Sequence, residues 1–303
     1  MICEKCGREY NEVYEKECVV CRRKATMAAF IALIKAVIYT VVFVAIQFAV
    51  QLVFAIVKAF GAILSGASDT DAFDLIMDAL FSSVCKMTAV SSLVTILAVG
   101  LFFLLRKKVA TREVWLKPVK NSALGLAALF GAAAQLIISV AVEFVPWPEA
   151  WIEDLASLND FIIVETLPWQ ILAVVLLGPI TEELIFRGLV YTRLRQATTP
   201  LVAAVLSGIA FGAVHGNMIQ FFYAFTLGVA LALIMERYHS LLPCIVVHIF
   251  FNGISFLPYY DLPAGTFILI YLTAVAVTIY TVYQIWFNKK DTQTERNIPD
   301  ETV

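Results

Sequence analysis

Charged residues are scarce in this 303-residue chain. Asp, Glu, Lys and Arg together make up 15% of the sequence, whereas hydrophobic residues make up 61%. Soluble domains contain about 25% charged and about 45–50% apolar residues. The net charge is −2, so the chain has no basic surplus for binding nucleic acid. The composition therefore predicts an integral membrane protein with the lipid bilayer as its partner and no nucleic acid.

Features of several other protein classes are also missing. The chain is polar and charged up to about Thr26, so a secretory signal peptide, which needs an apolar core, is not expected. No internal repeat is visible, which argues against a transporter with a polar site at the bilayer midplane. The sequence has no His-Glu-x-x-His motif, so the commonest zinc-protease signature is absent.

Eight apolar segments predict an all-α fold, a polytopic transmembrane helical bundle. Basic residues follow the even-numbered segments, and the other connections are acidic or neutral. Because basic loops stay in the cytoplasm, this alternation predicts that both termini are cytoplasmic, and we expect a bacterial cell membrane. The predicted spans are 36–57, 87–105, 122–145, 167–186, 201–214, 219–235, 241–257 and 266–287.

Four cysteines lie within the first 21 residues, as two Cys-x-x-Cys pairs separated by eleven residues. Four thiolates suit a tetrahedral structural zinc, which leaves no open position for catalysis. A redox dithiol pair or two disulfides would use the same residues, but the basic run 22–24 indicates the cytoplasm, where disulfides are rare. We predict a zinc-ribbon-like module at 1–24 that can bind a protein partner. Its zinc ligands would be Cys3, Cys6, Cys18 and Cys21.

Ionisable residues at the end of the fourth apolar segment are the first candidates for chemistry. Glu183 and Arg187 are four residues apart, so on a helix they share a face and can form an ion pair. Glu182 points about 100° away from Glu183 and is therefore free for another role. Charged groups at membrane depth are costly and mark functional sites by default. The alternative is that this helix leaves the membrane here and its charges are solvated.

Two of the three histidines fall at comparable depth on other spans. His215 ends the fifth span, and His248 and Asn252 share a face of the seventh. Counting about 1.5 Å per residue from the connections on the basic side places Glu182, His215 and Asn252 roughly 18–20 Å deep, and His248 at about 12 Å. This estimate requires the fourth helix to continue beyond residue 186, and Pro179 could kink it.

Three motifs on three spans together resemble a known family. Glu182-Glu183-x-x-x-Arg187, Phe211-x-x-x-His215 and His248-x-x-x-Asn252 occur in this order. The segment 167–257 is thereby similar to the CAAX protease and bacteriocin-processing (CPBP, or Abi) family of intramembrane proteases. That group includes the eukaryotic endopeptidases that trim prenylated CAAX proteins.

The resemblance implies an intramembrane endopeptidase that hydrolyses a peptide bond in a membrane-associated protein or peptide. Glu182 would be the catalytic carboxylate, with His215 as its partner in activating water. His248 and Asn252 would stabilise the oxyanion, and Glu183 with Arg187 would form a structural ion pair. Substrates could be peptides, pheromone precursors or membrane-protein tails.

Two questions stay open at this point. Glu182, His215 and His248 could hold a catalytic zinc with an open position, but we favour a metal-free glutamate protease. The chain could instead be a non-catalytic membrane binder, such as a bacteriocin self-immunity factor or a scaffold. Retention of four polar groups in lipid argues against that alternative. The predicted regions are the module at 1–24, N-terminal helices with a basic loop at 25–121, the protease core at 122–287 and a polar cytoplasmic tail at 288–303.

Overall fold

A computed structural model describes residues 19–66, 69–257 and 263–288 of the chain. All regular secondary structure within these residues is helical, which confirms the all-α prediction. The helices are α1 (Val19–Leu64), α2 (Asp69–Phe81), α3 (Val84–Leu105), α4 (Ala110–Glu113), α5 (Asn121–Phe144), α6 (Glu149–Ile163), α7 (Leu167–Arg195), α8 (Pro200–Ala213), α9 (Met218–Tyr238), α10 (Leu242–Ile254) and α11 (Ala264–Phe287).

Every predicted span corresponds to an apolar helix. Six helices in the described part are long and apolar enough to cross a membrane: α1, α3, α5, α7, α9 and α11. The other two, α8 and α10, have 14 and 13 residues and are about 20 Å long at 1.5 Å per residue. A bilayer core is about 30 Å thick. The chain is therefore a helical membrane protein, and the number of eight crossings stays a prediction.

Two connections that were predicted as acidic loops are helices instead. The segments that contain Asp74 and Asp154 form α2 and α6. Their acidic residues alternate with apolar ones at helical spacing, and the rings of Phe81 and Phe161 stack with centroids 4.4 Å apart. The prediction was wrong because it weighed the charge of these segments and not their apolar period.

Helix α7 carries the candidate catalytic residues and is continuous to Arg195, as the depth estimate required. Two π-helical stretches, Ile171–Leu177 and Leu184–Tyr191, flank the α-helical turn Gly178–Glu183. Pro179 has no N–H to donate and its ring disfavours regular α-helix upstream. A Cβ at Gly178 would lie 2.6 Å from the carbonyl oxygen of Ala173, so only glycine fits there. The sequence Gly-Pro therefore produces a widened helix rather than the sharp kink that was considered.

Small residues set the helix spacing around the site. A Cβ added at Gly131 on α5 would collide with the backbone carbonyl of Val247 on α10. Gly208 on α8 likewise faces α9, where its added Cβ would lie 2.9 Å from Val229. Backbones can approach closely at such positions, which is the usual way that membrane helices pack. The residue after Val247 is His248, so this contact also places a candidate site residue.

The predicted N-terminal zinc site lies outside the residues that the structure describes, so it stays a prediction. Cys3, Cys6 and Cys18 lie outside the described residues, as does the side chain of Cys21. The polar tail beyond residue 288 is also outside them. The other two cysteines, Cys85 and Cys244, are free and buried.

Candidate active site

The two adjacent carboxylates of α7 have different surroundings. Glu183 and Arg187 are fully buried, and Arg187 Nη1 lies 3.0 Å from Glu183 Oε1. The side chain of Glu182 is 26% exposed. One carboxylate is thus held by a guanidinium inside the bundle, while its neighbour reaches a solvent-accessible space.

His248 on α10 lies between these two carboxylates. Its Nδ1 is 2.8 Å from Glu183 Oε1, and its Nε2 is 3.7 Å from Glu182 Oε2. An ionised carboxylate can only accept a hydrogen bond. Nδ1 is therefore protonated, and its N–H donates a hydrogen bond to Glu183. Nε2 therefore faces Glu182. The sequence predicted Glu183 as the partner of Arg187 alone and did not predict its bond to His248.

Phe211 on α8 contacts three of the polar residues. The guanidinium of Arg187 lies 4.3 Å from the centre of the Phe211 ring, a cation–π geometry. The rings of His215 and His248 meet the same ring edge-on, with centroids 4.8 Å and 5.7 Å away. Phe211 thus helps to fix the imidazoles relative to the ion pair. Its place in the Phe-x-x-x-His motif was the only sequence signal for this role.

His215 lies in the short connection between α8 and α9. Its Nδ1 is 2.8 Å from the carbonyl oxygen of Phe211, so Nδ1 donates and Nε2 is left to act as an acceptor. Gly216 has a φ of +74°, which glycine adopts readily. Asn217 then accepts hydrogen bonds from the backbone N–H groups of Ile219 and Gln220 and caps α9. The imidazole of His215 also interacts electrostatically with Glu182 and His248.

Asn252 is joined to the widened part of α7. Its Nδ2 donates to the carbonyl oxygen of Val174, at 2.8 Å, within the first π-helical stretch. Gly178 N–H donates to Ala173 O, so in the same register the Val174 carbonyl would need an N–H from residue 179, and Pro179 has none. An asparagine amide has two N–H groups, and the second is left for other partners. The sequence predicted neither this bond nor the π-helix that makes it possible.

The buried ion pair has unused bonding capacity. Glu183 Oε2 and two nitrogens of Arg187, Nε and Nη2, are buried and have no hydrogen-bond partner. A Cβ at Gly228 on α9 would lie 3.1 Å from Arg187 Nη2, so the guanidinium packs directly against the backbone there. Glu182, Glu183 and Arg187, when all are ionised, together carry one net negative charge.

A catalytic zinc held by Glu182, His215 and His248, the alternative that the sequence leaves open, stays a prediction. Across residues 19–66, 69–257 and 263–288, no group of three His, Cys, Asp or Glu side chains is arranged to hold a metal ion. Glu182, His215 and His248 supply donors of the chemical kind that zinc accepts.

The comparison with known families coincides with this site. A family model described as "Type II CAAX prenyl endopeptidase Rce1-like" matches residues 164–254. That segment runs from just before α7 to the end of α10 and contains every residue of the site above. Residues 164–254, about 30% of the chain, are therefore similar to this family. The predicted family is confirmed, and the matched segment lies close to the predicted one at 167–257.

One curated relative supports the same grouping. The protein named "Putative membrane peptidase YdiL" of Bacillus subtilis (strain 168) is 27% identical over 90 residues. The match covers 30% of this chain and 37% of that protein, so the chain aligns with little more than a third of this relative. No solved structure matches the chain.

Proposed function

We propose that this chain is an intramembrane endopeptidase of the glutamate type, with Glu182 as the base that activates water. The proposal rests mainly on one observation. The partly exposed carboxylate of Glu182 lies 3.7 Å from Nε2 of His248, whose other nitrogen is held by buried Glu183. A reactive carboxylate beside an oriented imidazole is an arrangement that suits general acid–base catalysis. The match to an endopeptidase family over the same residues supports it.

The proposed reaction is hydrolysis of a peptide bond. A water molecule between Glu182 and His215 loses a proton to Glu182, with Nε2 of His215 as the second acceptor that orients the water. The resulting hydroxide attacks the carbonyl carbon, and the carbonyl oxygen becomes an oxyanion. The tetrahedral intermediate then breaks its C–N bond, and the departing amine takes the proton from Glu182.

His248 and Asn252 are proposed as the donors to the oxyanion. Asn252 has a second N–H beyond the one that binds Val174. His248 can donate from Nε2 only when both of its nitrogens are protonated, because Nδ1–H is used by Glu183. One such donor is worth about 2.7–4 kcal/mol in the transition state.

The proposed substrate is a membrane-associated peptide or protein. A protease in a lipid environment acts on chains that reach it through the bilayer or at its surface. The printed name of the relative, a membrane peptidase, agrees with that class. Prenylated CAAX proteins, the substrates implied by the family description, are one subclass.

The test is cleavage of a library of membrane peptides by the purified chain and by Glu182→Gln, which removes the base but keeps the size. We expect Glu182→Gln to lose at least about a hundredfold in rate, since a general base contributes 10²–10⁴-fold. Glu153→Gln, an exposed position on α6, is the matched control and should cut like the wild type. Unfolding midpoints of all three chains must agree for the comparison to hold.

Two outcomes would change the proposal. If Glu182→Gln cuts like the wild type, the chain is not a glutamate protease of this design, and a non-catalytic binding role becomes the better explanation. If a chelator abolishes wild-type cleavage and only added zinc restores it, the mechanism is metal-dependent. Chelator must be tested on Cys6→Ser as well, so that loss of zinc from the N-terminal module is not mistaken for loss at the site.

We also propose that the N-terminal module holds one structural zinc and recruits a protein partner from the cytoplasm. The supporting observation is the spacing of Cys3, Cys6, Cys18 and Cys21, which suits a closed tetrahedral site. We expect about one zinc per purified chain and none in the double variant Cys6→Ser/Cys18→Ser. Equal zinc content in the two preparations would refute the site.

A further inference from the structure

We propose that the basic connection between α3 and α5, residues 106–120, is a binding surface for anionic phospholipid headgroups. Six cationic side chains lie in these fifteen residues, and all six are exposed: Arg106, Lys107, Lys108, Arg112, Lys117 and Lys120. The single acidic residue of the connection, Glu113, is partly buried and is paired with Lys108 and Arg193. The surface therefore presents almost only positive charge.

The position of the connection favours a lipid over a soluble partner. It joins α3 to α5, two helices that are each long and apolar enough to cross a membrane, so it must lie at a bilayer surface. Exposed apolar side chains are interspersed with its cations, with Val109 at 64% and Leu116 at 36% exposure. Apolar groups that enter the acyl boundary beside cations at headgroup level are typical of lipid-binding interfacial segments.

The conformation of the connection is fixed rather than free. Lys107 and Trp115 have φ values of 53° and 56°, which are uncommon for residues other than glycine. The indole of Trp115 packs edge-on against His239, which has the third positive φ of a non-glycine residue in the described part of the chain. Leu241 N–H donates to the carbonyl of Trp115, at 3.0 Å. The cations are thus presented on an ordered scaffold.

That scaffold contacts the catalytic helix directly. Val114 is buried, and its Cβ would lie 3.0 Å from a Cβ added at Gly188, the residue after Arg187. Arg193 Nη2 lies 2.6 Å from Glu113 Oε2. Lys108 first, and Arg193 in addition, hold the pKa of Glu113 below its usual value, so this link stays charged at neutral pH. Headgroup binding at the connection would therefore restrain the second π-helical stretch of α7.

The test uses the full chain in nanodiscs of phosphatidylcholine, with or without phosphatidylglycerol, and the triple variant Lys107→Gln/Arg112→Gln/Lys117→Gln. A cation near an anionic surface contributes about fivefold in affinity, so we expect the triple variant to bind phosphatidylglycerol at least about tenfold more weakly. The control removes three exposed cations of α1, Lys24→Gln/Lys35→Gln/Lys58→Gln, and should weaken phosphatidylglycerol binding less than the triple variant does. Phosphatidylglycerol should also slow hydrogen exchange of residues 184–195 in the wild type and not in the triple variant.

These readouts do not depend on peptidase activity, so they are informative even if no substrate is found. Equal affinity of the wild type and the triple variant for phosphatidylglycerol would overturn the proposal. So would an equal loss in the control, because the effect would then be one of overall charge. If soluble glycerophosphate, without phosphatidylglycerol, already slows hydrogen exchange of residues 184–195, the connection is a free-phosphate site and not a lipid-binding surface. Competition by an acidic peptide but not by phosphatidylglycerol would indicate a protein partner and would also overturn the lipid assignment.

Discussion

At the scale of single residues, the site separates a partly exposed carboxylate from a fully buried, paired one. Glu182 and Glu183 are adjacent in sequence, yet only Glu183 is fully buried and bonded to Arg187 and His248. A buried charge is tolerated only when it is paired and hydrogen-bonded. Glu183 meets that condition and in doing so orients the imidazole of His248 toward Glu182. In the proposed mechanism, Glu183 would therefore act by positioning His248.

The first prediction concerns removal of the cation from this cluster. Arg187→Met leaves Glu183 as a buried anion without its guanidinium, and breaking a buried pair in this way costs about 3–5 kcal/mol. We expect a correspondingly lower free energy of unfolding for Arg187→Met, measured by denaturation in mild detergent. The double variant Glu183→Gln/Arg187→Met removes both charges and should be more stable than the single one. A double variant no more stable than Arg187→Met would contradict the ion-pair interpretation.

Spacing along one helix was enough to predict some of these contacts but not others. The interval from Glu183 to Arg187 puts both on one helical face, so their pairing follows from the period alone. The bond from His248 to Glu183 joins α10 to α7, 65 positions apart in the chain. Nothing in the period of either helix fixes how one is rotated against the other. The residues of the site could therefore be predicted, whereas their hydrogen bonds required the structure.

At the scale of helices, glycine positions decide how closely the site-bearing segments approach. Gly131 of α5 packs against the carbonyl of Val247, next to His248, whereas Gly125 of the same helix has open space where a Cβ would be. The two glycines belong to one helix and differ mainly in what they face. They form a matched pair for testing whether the α5–α10 spacing positions His248.

We predict opposite effects of alanine at these two glycines. Gly125→Ala should be neutral or stabilising, because alanine is favoured over glycine in a helix by about 0.8–1 kcal/mol. Gly131→Ala should push α10 away from α5, since backbone atoms cannot yield as a flexible side chain can, and should lower both the unfolding midpoint and peptide cleavage. If Gly131→Ala cleaves like Gly125→Ala, the close α5–α10 contact does not position His248.

Helices outside the core were predicted less well, for a physical reason. The amphipathic helices α2 and α6 are less apolar than the spans and carry eight of the 24 acidic residues of the chain. A search for uncharged runs passes over such segments, because half of each helix surface is polar. In the sequence the apolar half shows only as the helical spacing of apolar residues. Phe81 of α2 and Phe161 of α6 stack against each other through these apolar halves.

At the scale of the whole molecule, the length of α1 is greater than one membrane crossing requires. Its 46 residues correspond to about 69 Å at 1.5 Å per residue, whereas a bilayer core is about 30 Å thick. The uncharged part between Lys35 and Lys58 matches that thickness, and both lysines are exposed. Lysines at such positions can extend to the two membrane surfaces. The rest of α1 would then extend beyond the bilayer at one or both ends.

This placement makes the predicted topology testable with native lysines. Starting from α1, Lys35 and the basic connection that contains Lys107 and Lys117 should share one side of the membrane. Lys58 and Lys86 should lie on the other side, because a single span separates each from the first group. An amine reagent that cannot cross membranes should therefore modify only one group of lysines in vesicles of one orientation, and only the other group in vesicles of the opposite orientation. Mass spectrometry would identify the modified lysines.

The lysine pattern distinguishes the predicted arrangement from its alternatives. Modification of Lys58 and Lys107 in the same vesicles would require either that α3 does not cross or that α1 crosses at a different segment. Lys86 is a stricter probe. Its Nζ lies 3.1 Å from Glu165 Oε2, and Glu165 lies between α6 and α7. The side on which Lys86 reacts is therefore also the side on which α7 begins. If Lys86 reacts on the side opposite to Lys107, then α3 crosses the bilayer, and α7 begins on that same far side. The catalytic helix would then end on the side of the basic connection, as the contact between Val114 and Gly188 requires.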